Sequence, residues 1–201
     1  MAYRSLEECL LDLERTGRLV RVKEKVDPDL QMAAIHFRVH EAGGPALLFE
    51  NVKGSSFRAA SNIFGSIERS NYIFRNSLHT VQQLITIKND PLQIFKHPLQ
   101  HTNTIRAALH ALPIKKPIHK PVLFQEIKIT DIPLVKHWPN DGGAFITLPQ
   151  VYTEDIEKPG MMHSNLGMYR VQLAGNQYQP NRQIGLHYQI HRGIGVHHQE
   201  A

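Results

Sequence analysis

YRVQLAGNQYQPNRQIGLHYQIH, residues 169–191, contains two β-type runs on either side of a turn-forming stretch. YRVQLAG from Tyr169 and IGLHYQIH from Ile184 alternate apolar and polar side chains, the period of a half-buried strand. Asn176 to Gln183, with two asparagines and a proline, join them, so the spacing predicts a hairpin. Alternate side chains of a strand share a face. Arg170 and Gln172 therefore stand together, opposite Tyr169, Val171 and Leu173. On the second run His187, Gln189 and His191 stand together, opposite Tyr188, Ile190 and Arg192. If the runs pair, two polar faces converge. Guanidinium, amide and imidazole in one place can donate to phosphate or carboxylate and offer a nitrogen to a divalent metal. Polar strand faces also occur simply because they meet solvent.

The flanking residues favour an anion. From Lys158 to Gln199 there is no Asp or Glu, while Arg170, Arg182, Arg192 and five histidines fall inside. Upstream, FQEIKI at 124–129 and FITLPQVYT at 145–153 read as further short β segments between Pro, Gly and Asp turns. Asp141-Gly142-Gly143 reads as a turn, with a binding loop as its other use. Trp138 reads as a core or interface aromatic. His197 and His198, taken as neighbours on a strand, face opposite ways and do not chelate one ion. Further back, LPIKKPIHKP at 112–121 places prolines at 113, 117 and 121, which deny amide donors and restrict each preceding residue. This stretch marks a domain boundary.

Before that boundary helices and strands alternate. Ser5 and Glu8 form a capping box, Leu6, Leu10 and Leu13 mark one helical face, and Gly17 ends the helix. Cys9 reads as a small buried apolar residue. LVRV at 19–22 is a strand. Asp27-Pro28 reads as an N-cap followed by proline at the first helical position, with Leu30, Ala33, Ala34 and Phe37 as the buried stripe. Gly43-Gly44-Pro45 stops that helix. ALLF at 46–49 and FRAASNIF at 57–64 are paired or neighbouring strands. Thr80 with Gln83 reads as a second capping box, Asp90-Pro91 opens another helix, and Thr102 to Ala111 is a third. The expected class is α+β: an N-terminal α/β domain over 1–112, a proline-rich linker over 113–121 and a β-rich part over 122–201.

Composition narrows the function classes. The chain has 201 residues, 41% hydrophobic and 20% charged, with a formal charge of +5. That is globular composition, far from the signature of disorder. The only short basic cluster, Lys115, Lys116, His119 and Lys120, sits among prolines and reads as solvated linker, so nucleic-acid binding is not expected. One cysteine forms no intrachain disulfide and no cysteine metal site, which fits a reducing compartment. The start is amphipathic and acid-bearing, unlike a secretory signal, and no apolar run reaches the ~18 residues of a membrane span. A cytoplasmic protein is expected.

GGPALLFENVKG at 43–54, TDIPLVKHWPNDGGAFIT at 130–147, SNLGMYRVQ at 164–172 and HYQIHRGIG at 187–195 closely resemble the UbiD-type decarboxylases, in family order and across nearly the whole length. The resemblance implies an N-terminal α/β domain followed by part of a flavin-reductase-like split β-barrel. It implies prenylated FMN as cofactor, with Mn2+ or Mg2+ and K+ as cations. Residue by residue, it implies Asn165 as a metal-binding asparagine and His191 as a second metal ligand. Met168, Tyr169 and Arg170 match a stretch that contacts the flavin and its phosphate, and His187, Tyr188, Gln189, Arg192 and Gly193 match the second cofactor-binding stretch. Arg170 also matches the catalytic arginine that handles the substrate carboxylate. An acid-free window suits such surroundings, since carboxylates would repel the phosphate.

Family members are typically more than twice this long, and the glutamates that complete the metal shell and donate the proton lie beyond the stretch matched here. The resemblance therefore implies the N-terminal part of a carboxy-lyase acting on an aromatic or α,β-unsaturated acid. It also implies a UbiX-type flavin prenyltransferase as cofactor supplier, a homo-oligomer, and quinone biosynthesis as a plausible setting. The competing expectation is a flavin-nucleotide-binding or assembly module with no chemistry of its own, because the motifs supply binding groups and no general acid.

Overall fold

The computed structural model describes residues 3–90, 126–190 and 193–201. The expected helices from Asp90 and over 102–111, the proline-rich linker, His191 and Arg192 lie outside the described residues.

In the N-terminal part, α1 (Leu6–Arg15) starts where Ser5 Oγ accepts the Glu8 amide at 3.2 Å. The Glu8 carboxylate accepts the amide of Arg4, one residue before the cap, so the box is one residue wider than expected. Cys9 and Leu13 are buried, Leu10 packs partly, and Leu6 is 58% exposed, so the buried face is centred off the expected leucine stripe.

Strand β1 (Leu19–Val26) runs parallel to β2 (Ala46–Val52), which pairs antiparallel with β3 (Ala59–Ser61). Helices cover both faces of this sheet, which is why ALLF is an unbroken apolar run. Ala46 and Leu48 face Cys9 and Leu13 of α1, while Leu47 and Phe49 face Met32 of α2 (Gln31–Glu41). The short α3 (Ile67–Ile73), capped by Ser66 Oγ on the Arg69 amide, adds Ile73 to the first cluster. Residues 78–89 form α4 (Leu78–Asn89), and Thr80 and Gln83 lie inside it rather than at its start.

Asp27 is not an N-cap. Its carboxylate accepts the Asp29 amide at 3.0 Å and the Lys53 ammonium at 2.6 Å. The backbone of 28–30 is committed elsewhere: Pro28 O accepts Lys136 N at 3.1 Å, and Leu30 N donates to Lys136 O at 3.2 Å. The helix can begin only after Leu30, which adopts a left-handed φ of 66°. The buried stripe shifts to Met32, Ala33, Ile35 and Val39, and Ala34 is exposed.

Lys136 belongs to the segment that returns from the second half across the first. Val135 packs on the α2 cluster, Ser55 Oγ donates to Asp131 O at 2.5 Å, and Trp138 lies 4.7 Å from the Phe37 ring. Trp138 is therefore an interface aromatic, still 56% exposed, and not a core one. The described part of FQEIKI is no strand; it leads into a 3-10 turn at Ile129–Asp131.

FITLPQVYT divides into β4 (Phe145–Ile146) and β5 (Gln150–Glu154), which belong to different sheets. Pro149, without an amide hydrogen, sits at the break. β5 pairs antiparallel with β6 (Ser164–Met168). β4, β7 (Arg170–Gln172) and β8 (Gly185–His187) form a three-stranded sheet in the order β4-β7-β8, so the expected hairpin is present. Its second strand ends at His187, and Gln189 shares no strand face with it. Gly193–Glu200 is a helix, α5, so His197 and His198 are helical neighbours rather than strand neighbours. They bond separately, His197 Nδ1 to Thr153 Oγ1 at 2.8 Å and His198 to the Tyr188 hydroxyl.

Candidate functional site

The chain changes sheets at Tyr169. β6 ends at Met168 and β7 begins at Arg170, so residues 165–170 and the end of β8 form the walls of one groove of about 590 Å3. It is lined by Asn165, Gly167, Met168, Tyr169, Arg170, His187, Tyr188, Gln189 and Gly193. Every site residue expected from the sequence that is described lies on this lining. Tyr169 was placed on the face opposite Arg170, but the switch of sheets breaks the alternation and brings it to the same groove.

The sheet β4-β7-β8 builds the floor. Arg170 pairs in register with His187, and Gln172 with Phe145, so these four side chains share a face. The Arg170 guanidinium lies 3.5 Å over the Phe145 ring, and the His187 ring meets Phe145 edge-on at 5.6 Å. Arg170 Nη2 donates to both Asp141 carboxylate oxygens, at 3.0 and 3.2 Å. Asp141 is the more enclosed partner, with its side chain 10% exposed against 41% for Arg170. Nε and Nη1 of Arg170 make no hydrogen bond among the described residues and remain donors for a ligand.

The other wall is held by Asn165, whose Nδ2 donates to the Tyr169 hydroxyl at 2.8 Å. Gly167 lies under the Tyr169 ring, where a Cβ would come within 2.7 Å of it, and a Cβ on Gly193 would lie 2.6 Å from Asn165 Oδ1. Both positions need the absent side chain for close packing.

Sequence reasoning missed three residues here. Asp141 was read only as part of a turn. The turn exists, packed against residues 174–175, and its first residue also anchors Arg170. Phe145 gave no signal beyond a strand apolar. His137 is half-buried, with its Nδ1 enclosed and unbonded among the described residues. Burial pushes its pKa below the ordinary value, Asp141 partly offsets this, and Arg170 adds to it.

The donor set suits a flavin nucleotide. A free guanidinium edge, an imidazole, an amide and a tyrosine serve phosphate and carbonyl oxygens, and the exposed Met168 offers an apolar contact to a ring. It does not by itself suit a metal centre. A hard cation takes about six oxygen ligands. Asn165 Oδ1 is one, and no group of three or more His, Cys, Asp or Glu that could hold a metal occurs among the described residues.

The comparisons with known proteins agree with this arrangement. Residues 10–88 match the 3-octaprenyl-4-hydroxybenzoate carboxy-lyase N-terminal domain, and residues 112–201 match the Rift-related domain of the same family. A Chlamydia pneumoniae protein named as a 4-hydroxybenzoate decarboxylase component is 38% identical over 182 residues, covering 85% of this chain and 30% of that protein. Vanillic acid decarboxylase from Sedimentibacter hydroxybenzoicus, in closed form, superposes with a TM-score of 0.69 at 24% identity, covering 98% of this chain and 40% of that one. A UbiD-class enzyme from Pelotomaculum thermopropionicum, solved in complex with prFMN, gives a TM-score of 0.67 at 21% identity, covering 97% and 40%. At these identities the structures show the fold.

The mixed helix and sheet architecture is thus that of UbiD-class proteins. The chain belongs to the UbiD carboxy-lyase family. It spans about a third of the length of the curated relatives it matches. Among the described residues no helix is long and apolar enough to cross a membrane.

Proposed function

We propose that the chain is the flavin-nucleotide-binding part of a UbiD-type carboxy-lyase, which decarboxylates an aromatic or α,β-unsaturated carboxylic acid non-oxidatively and reversibly with prenylated FMN. One observation carries the reading: Asn165, Met168, Tyr169, Arg170, His187, Tyr188, Gln189 and Gly193, which come from two separate motifs, line a single groove.

Bound there, prenylated FMN supplies the electron sink that carbon dioxide loss requires. The chain's own residues bind and orient. Arg170, held by Asp141 and stacked on Phe145, presents Nε and Nη1 as a fork that matches a carboxylate or phosphate. Tyr169, bonded to Asn165, sets that wall. A divalent cation enters the proposal as a support of nucleotide affinity through Asn165, with His191 as its second protein ligand. Cofactor supply by a UbiX-type prenyltransferase and assembly into a homo-oligomer belong to the same proposal.

The second reading, a binding module without chemistry of its own, has one observation in its favour. No carboxyl group is part of the described groove lining, and Asp141 is engaged by Arg170, so no acid stands ready to reprotonate the product carbon.

Calorimetric titration of the chain with FMN, with and without Mn2+, tests the site. Binding should weaken roughly 10- to 100-fold in Arg170→Ala, the scale of a lost charged hydrogen bond. Any gain from Mn2+ should disappear in Asn165→Ala. Wild-type affinity in both variants would place the nucleotide elsewhere. Carbon dioxide release from an aromatic acid by the loaded chain would decide for the enzyme over the module.

A further inference from the structure

Gln172, next to the motif residues on β7, is 1% exposed and lies at the centre of a closed hydrogen-bond network. Its Nε2 is 2.9 Å from the carbonyl oxygen of Gly142 and 3.1 Å from that of Ala174. Carbonyl oxygens only accept, so the amide end facing them is the NH2, and both of its hydrogens are used. Turning the amide over would press its oxygen against two others. Oε1 therefore faces the opposite way, where Asn176 Nδ2 donates to it at 3.2 Å and His187 Nε2 lies at 3.0 Å. An amide oxygen cannot donate. The hydrogen between Gln172 and His187 must sit on His187 Nε2, and a neutral imidazole then keeps a lone pair on Nδ1.

We infer that Gln172 fixes His187 as the Nε2–H tautomer, so that the groove offers a hydrogen-bond acceptor, Nδ1, beside the free Nε and Nη1 donors of its register partner Arg170. Nδ1 makes no hydrogen bond among the described residues. A donor edge next to an acceptor fits a ligand group in which an N–H adjoins a carbonyl oxygen. On a flavin, the imide of the pyrimidine ring is such a group. A fully ionised phosphate only accepts, so it would satisfy Arg170 and leave Nδ1 facing another acceptor. Gln172 is thus a positioning residue, and His187 reads the imide through the nitrogen that Gln172 leaves bare. The imide assignment rests on the flavin reading above; the tautomer does not.

The test is a two-bond proton–nitrogen spectrum of the chain labelled with 15N-histidine, at about pH 8 where an ordinary imidazole is neutral. His187→Asn assigns the signals. A single Nε2–H tautomer at His187 is expected, and an Nδ1–H tautomer or a mixture in the wild type would overturn the inference. Gln172→Met should turn the single form into a mixture and weaken FMN several-fold. Asn176→Ala, which leaves the lock in place, should keep it single. If Gln172→Met does not fold, the wild-type and Asn176→Ala spectra still decide. Added FMN should shift Nδ1 and leave Nε2 in place. FMN that binds without moving Nδ1 overturns the imide assignment alone. FMN that does not bind overturns the flavin reading and the imide assignment with it, while the tautomer is judged on the free protein.

Discussion

Arg170 shows how much one side chain's environment decides. Its charge is half-exposed, so the ion pair with Asp141 contributes little to stability by itself, on the order of 1 kcal/mol or less for such pairs. Its value is orientation. One nitrogen is tied to a carboxylate, the flat face rests on Phe145, and two nitrogens are left over. A lysine has a point charge, no planar fork and no flat face to stack. Arg170→Lys is therefore expected to recover less than about a tenth of the FMN affinity lost in Arg170→Ala, measured by the same titration. Equal affinity for Lys and Arg would mean that only charge matters. From the sequence, Arg170 was identified as a ligand-handling residue through its strand face and its motif. Asp141 was not, because nothing in a PNDGG turn says which strand it will pack beside.

At the scale of elements, the groove depends on how closely two connections approach. The turn at 142–143 and the loop at 174–175 touch backbone to backbone. A Cβ at Gly143 would lie 1.8 Å from the Ala174 carbonyl oxygen, and one at Gly175 would lie 1.6 Å from that of Gly142. Both glycines also have positive φ, 150° and 96°. Gly143→Ala and Gly175→Ala should each destabilise the chain by about 2 kcal/mol or more, read from urea midpoints, with Gly160→Ala as a milder comparison. Gly160 shares the positive φ but has nothing within 4 Å of its would-be Cβ. Equal losses at all three positions would attribute the effect to φ and not to the contact. The hairpin, the parallel pair and the paired strands β2 and β3 were legible because alternation and apolar runs are local signals. The start of α2 was not. Asp27-Pro28 is a sound helix opening in isolation, and it fails here because Lys136 claims the backbone of residues 28 and 30.

Across the whole molecule, the returning segment puts histidines on both sides of one seam. His36 on α2 bonds Ser61 Oγ at 3.1 Å and stacks with His40, and His137 lies close enough to act on its charge. Burial is the first cause that lowers the pKa of both His36 and His137 below 6.5; for His36, His40 and His137 add repulsion. The unfolded chain then takes up protons before the folded one does. Stability is full above the ordinary value, falls as pH drops below it, and levels off once the folded values are passed. Trp138, the only tryptophan, sits on the seam against Phe37 and reports it. Urea stability followed by Trp138 emission should be flat from about pH 8 to 7 and decline toward about pH 5. His36→Gln with His137→Gln should flatten that decline. An unchanged decline in the double variant would assign it to other groups.

The sequence alone determined the family, the helix-and-sheet class, most of the strands and the motif residues that line the groove. Those follow from residue type, spacing and period, which the chain carries along its own length. The tertiary structure decided where α2 begins, which carboxylate holds Arg170, why Gln172 is buried and which nitrogen of His187 carries the hydrogen. Each of these depends on groups far apart in the chain competing for the same donor or acceptor, and only the folded packing settles that competition.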